Sequence, residues 1–252
     1  MDLKLNEDQS MLKKVAADFL KAEAPSYVVT DWFQKKIAYI PELYKKAADI
    51  GWLGMVIPEE FGGGGTSYTD CAVVFEEIGR GPLPGPYFTS GVLSPLLILE
   101  GGTDAQKKTL IPRICDGSSI VIPAISDDPI QWGPRAVQTR LVKASNGFAL
   151  YGKKRFVFDA EAATSFICAA RTGTDELALV LVERNAAGVS VKPQTGFMIG
   201  AAEVNFDNVA IAAANIIGDI QAGWAVVDRA SMKAIPILCT APIRRRQRSG
   251  SS

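Results

Sequence analysis

The feature that most constrains this chain is a change of hydrophobic period near Ser119. Before it, apolar residues recur at helical spacing, as in Leu12, Val15, Ala16, Phe19 and Leu20, or Leu43, Ala47 and Ile50. Asn6 with Gln9, and Thr103 with Gln106, form capping-box patterns that open helices. The pattern predicts further helices over 41–50, with Gly51 as a stop, over 69–78 and over 92–99, and a Gly/Pro-rich loop over 79–86. After Ser119 short runs rich in Val, Ile and Phe, at 119–126, 137–143, 148–158, 165–171 and 177–183, read as strands. Asn146-Gly147 between two of them predicts a type I′ hairpin turn. The chain is therefore expected to be α+β and multidomain. An all-α domain (1–117) precedes an antiparallel β-barrel or sandwich (118–220), and 221–252 begins another helical segment. That last helix is expected to break at Pro236 and Pro242, before a basic tail, Arg244 to Arg248.

Composition narrows the chemistry. With no His among 252 residues, His-based triads and His-containing metal sites are excluded, and proton transfer must use a carboxylate, Lys, Tyr, Cys or a cofactor. The balance of 27 basic and 27 acidic residues argues against nucleic-acid or anionic-membrane partners. Cys71, Cys115, Cys168 and Cys239 lack metal or disulfide spacing and read as buried, reduced thiols. No signal, transit or membrane-spanning pattern is present, so a cytoplasmic location is expected.

Local motifs alone name no reaction. Gly62 to Gly65 lacks the Lys-Ser/Thr of a phosphate loop and reads as a turn. Gly79-Arg80-Gly81 runs into Pro82, which cannot offer an amide to a diphosphate. Glu59-Glu60 and Glu76-Glu77 read as solvated surface, and Asp127-Asp128-Pro129 as a turn at a strand end. Trp132, Phe156 and Phe158 suit either core packing or a planar ligand.

Several segments taken in order resemble the acyl-CoA dehydrogenase family. They are Pro58-Glu59-Glu60-Phe61-Gly62-Gly63-Gly64-Gly65, Glu76-Glu77-Ile78-Gly79, Gly102 to Lys107 with Leu110-Ile111-Pro112, Phe206-Asp207-Asn208-Val209, and Asn215-Ile216-Ile217-Gly218 with Gly223-Trp224. The resemblance implies FAD as hydride acceptor, α,β-desaturation of an acyl-CoA thioester, an electron-transferring flavoprotein as acceptor, and a homo- or hetero-oligomer. It assigns the flavin face to Ile125, Ser126 and Asp127 and to Phe156, Val157 and Phe158. It leaves no catalytic base among these residues, because the family's glutamate comes from a C-terminal helical domain that this chain is expected to lack.

Two departures bear on that face. Asp128 is inserted before Pro129, and Trp132-Gly133-Pro134 stands where the family has Gly-Ser-Asp. Phe158 replaces the hydroxyl residue expected near flavin N5. The lost hydroxyl at Phe158 and the lost base favour an alternative, a non-catalytic partner or scaffold subunit of a dehydrogenase complex.

Overall fold

A computed structural model describes residues 4–128, 130–194 and 200–241. Six α-helices come first: α1 (Glu7–Glu23), α2 (Ser26–Gln34), α3 (Pro41–Asp49), α4 (Tyr68–Arg80), α5 (Ser94–Gly101) and α6 (Asp104–Cys115). Both anticipated capping boxes form, with Gln9 N–H 2.7 Å from Asn6 Oδ1 and Gln106 N–H 3.3 Å from Thr103 Oγ1. A third, Ser67 with Asp70, opens α4. Leu43 and Ala47 are buried on the stripe that the spacing indicates, whereas Ile50 is exposed beyond the end of α3. Helix α4 continues to Arg80, so the Gly/Pro loop begins at Gly81.

Glu76 and Glu77 are not the solvated pair expected. Lys13 of α1 sits 3.3 Å from Glu76 and 3.7 Å from Glu77, and Arg80 lies 3.3 Å from Glu77. Glu77 is buried because α1 packs over this face of α4 and brings its own cation.

Seven strands follow: β1 (Val121–Ala124), β2 (Arg140–Ala144), β3 (Gly147–Phe158), β4 (Ser165–Arg171), β5 (Leu177–Glu183), β6 (Val189–Pro193) and β7 (Ala201–Ile211). Strands β2-β3-β7-β6 form one antiparallel run, and β5 pairs antiparallel with β4. The sheet is mixed, because β1 pairs in parallel with β4 and β2 meets β4 only at Arg140 and Arg171. A parallel neighbour needs a long return path, and the whole β2–β3 hairpin supplies it. That hairpin turns on Ser145 and Asn146, with Gly147 already paired to Ala144. Among these turn residues only Gly147 has positive φ, so the turn is not the Asn146-Gly147 type I′ form.

Helix α7 (Gly223–Thr240) packs on α4 and α5 and buries Val226, Val227, Ala230, Ala234 and Ile237. It runs straight through Pro236, contrary to the expected break. Pro236 and Met232, the residue whose carbonyl loses its helical donor, both lie on the exposed face, while Ile237 keeps the helix docked. The second proline, Pro242, and the arginine-rich segment lie outside the described residues.

Candidate functional site

The two segments singled out in the sequence meet where β1 ends and β3 bulges. After a first register shift between Leu150 and Gly152, strand β3 pairs with β7 to Lys154↔Val204 and resumes at Val157↔Ala202, so Arg155 and Phe156 together oppose Glu203. Phe156 takes a left-handed φ of 52° there, and its N–H donates to Gln194 Oε1 at 3.0 Å. The bulge turns the backbone so that Arg155 N–H reaches the Ser126 carbonyl at 3.4 Å, which places the β1 exit against β3.

Beneath this junction lies Lys154, whose side chain is fully buried. Its ammonium donates to the Ile125 carbonyl at 2.9 Å and forms an ion pair with Asp127. Asp127 also accepts from Gln138 N–H at 2.7 Å, from the Thr139 hydroxyl at 2.9 Å and from the Thr139 amide. The carboxylate is thus spent on holding the loop.

The six sequence-assigned residues divide by what they can offer. Ile125 and Val157 bury their side chains and present only main chain. Asp127 is occupied. Ser126 donates its hydroxyl to the Asp128 carbonyl at 2.7 Å and keeps its acceptor capacity. Phe156 and Phe158 remain 46% and 38% exposed, an apolar platform at a strand end. Nearby, Trp132 packs edge-on to Trp224 of α7 at 5.4 Å. A groove of about 380 Å³ beside the platform is lined by Asp128, Gln131, Arg135, Gln138 and Arg155, among others.

Sequence reasoning missed Lys154 and Gln194. Lys153-Lys154-Arg155 looks like a solvated strand face, and only strand alternation marks its middle member as inward-facing. The glycine run behaves as a turn. The amides of Gly63, Gly64, Gly65 and Thr66 donate to the carbonyls of Pro58, Gly54, Ile57 and Met55, leaving none for a phosphate. Cys71, Cys115 and Cys168 are buried free thiols, but Cys239 is exposed on α7, contrary to expectation.

This chain is similar to several known proteins along most of its length. Residues 6–118 match the family model for the acyl-CoA dehydrogenase N-terminal domain. The acryloyl-CoA reductase (NADH) of Anaerotignum propionicum is 28% identical over 237 residues, covering 90% of this chain and 60% of the relative. Among solved structures, a glutaryl-CoA dehydrogenase from Mycobacterium smegmatis in complex with FADH2 superposes with a TM-score of 0.85 at 21% identity, over 94% of this chain and 62% of that one. The ChsE4–ChsE5 complex from Mycobacterium tuberculosis superposes with a TM-score of 0.82 at 20% identity, over 96% of this chain and 64% of its counterpart. The chain therefore spans about three-fifths of the length of the first relative.

Proposed function

We propose that this chain, which belongs to the acyl-CoA dehydrogenase family, is an FAD-dependent oxidoreductase that acts on the α and β carbons of an acyl-CoA thioester. One observation carries the reading. Two phenyl rings stand exposed at the bulged end of β3, beside a serine hydroxyl held on the β1 exit. Exposed aromatic area at a strand end suits a flat ring system laid against it. A bound flavin would supply the hydride acceptor that no side chain of the protein can provide.

The protein's own part is positional. Phe156 and Phe158 provide an apolar contact face and exclude water from it. Ser126 can accept a hydrogen bond at the edge of that face, and the Lys154–Asp127 pair fixes the backbone of 125–127. Asp127, held by Lys154 and three further donors, is unsuited to serve as the base. Electron-transferring flavoprotein as acceptor, oligomeric assembly and a cytoplasmic setting belong to the same proposal. No helix among the described residues is long and apolar enough to cross a membrane.

Phe158, without a hydroxyl, favours a second reading, a non-catalytic partner subunit that uses the same fold. The two separate on a visible spectrum. The purified chain is incubated with FAD and desalted. A retained band at about 450 nm, near one flavin per chain, supports the first reading. A colourless protein overturns it in favour of the partner subunit. Where flavin is retained, reduction of an enoyl-CoA and oxidation of a saturated acyl-CoA are assayed side by side, since the relative is named for reduction.

A further inference from the structure

A second cavity, of about 460 Å³, opens beside α2 and the loop after α4. Trp32, Phe33, Ile78 and Leu83 make its walls apolar, and one carboxyl, that of Asp159, stands in the lining. None of the six flavin-face residues lines it. Thr89 donates its hydroxyl to Asp159 Oδ2 at 2.6 Å, and no Lys or Arg forms an ion pair with Asp159 among the described residues. The Tyr87 ring abuts Gly85 of the same lining, and its hydroxyl is buried without a hydrogen-bond partner among those residues.

Among the described residues the Asp159 carboxylate has a single neutral donor in an apolar wall, an arrangement that is costly for the ionised form unless something else meets it. Asp159 is not there for want of an alternative. Its left-handed φ of 59° is one that Asn adopts equally well, and Asn would keep the Thr89 hydrogen bond without the charge. The volume lies within the range of small-molecule sites that combine apolar walls with few polar anchors.

We propose that this cavity binds an apolar ligand whose single protonated amine pairs with Asp159. The amine would donate to the carboxylate as a charge-assisted hydrogen bond while the hydrocarbon fills the space against Trp32 and Leu83. Among the described residues the titratable groups facing Asp159 are Tyr44 and Tyr87, both pushed further from ionisation by burial, so neither competes as an anion. Burial likewise pushes the Asp159 carboxyl up to about 6, which keeps it ionised at neutral pH and neutral below.

The test is a tryptophan-fluorescence titration of the full chain with n-hexylamine, n-hexanol and hexanoate, the Trp32→Phe variant assigning the signal. The amine is expected to bind on the order of tenfold more tightly than either of the others at about pH 7.5. That preference is expected to vanish in Asp159→Asn, and in the unmodified protein at about pH 5, which needs no variant to fold. Equal binding of the three probes, a preference that survives Asp159→Asn, or no binding at all overturns the proposal. The titration needs no flavin, so its failure is separate from failure of the flavin reading.

Discussion

Removing the ammonium of Lys154 tests the central feature of the site junction. Lys154→Met keeps most of the aliphatic stem, but the Ile125 carbonyl and Asp127 each lose a donor. The side chains of Lys154 and Asp127 are 0% and 9% exposed, so water cannot readily replace the lost partner. Stranding one member of a buried ion pair costs about 3–5 kcal/mol. Asp127 would still hold two backbone amides and the Thr139 hydroxyl, which places Lys154→Met near the lower end, about 3 kcal/mol. Asp127→Ala is expected to cost more. It leaves a buried ammonium on one carbonyl and also strips the Gln138 and Thr139 amides of their acceptor, at roughly 1 kcal/mol each. The double variant buries no charge, so its cost should fall short of the sum of the singles by at least about 2 kcal/mol. Urea unfolding of the parent, both singles and the double, followed by far-UV circular dichroism, measures all the terms. A Lys154→Met cost below about 1 kcal/mol, or a double variant equal to the sum, would refute the argument.

Gly79→Ala reverses an ordinary sign. In an exposed helix interior the change gains about 1 kcal/mol, but here the new methyl meets the Ala241 carbonyl where α4 and α7 touch, so thermal unfolding should show a loss of about 1–3 kcal/mol. The Asp159 carboxyl rises from a usual 3.8 to about 6 on folding, so between these values the unfolded chain has released a proton that the folded one keeps. Its contribution is therefore full below about pH 4 and lost as pH rises through about 6, roughly 3 kcal/mol in all, and a pH-independent stability gap between parent and Asp159→Asn would contradict it. Burial pushes the Cys71 and Cys168 thiols up to about 12 and Cys115 up to about 11, whereas Cys239 is exposed. A maleimide should label Cys239 alone in the native protein and all four thiols in denaturant. Native labelling of Cys71 or Cys168 would show that α4 or the sheet opens far more readily than this packing permits.

What the sequence determined by itself is what neighbours along the chain decide. Capping boxes at Asn6 and Thr103, the stripe of Leu43 and Ala47, and β4 and β5 at their expected bounds are all set by residues a few positions apart. Strand β7 escaped because a left-handed Asn208 interrupts the alternation of Ala202, Val204 and Phe206 with Val209 and Ile211. The pairing of β1 with β4, the burial of Glu77 under Lys13 and the passage of α7 through Pro236 depend on partners distant in the chain. So does the site. The order of motifs proposes a common face for Ser126 and Phe158, but does not disclose that Asp127 is bound by Lys154 or that Asp159 stands in an apolar cavity. Local spacing sets backbone conformation. Whether a charge is buried, and what neutralises it, is decided only when remote segments close over it.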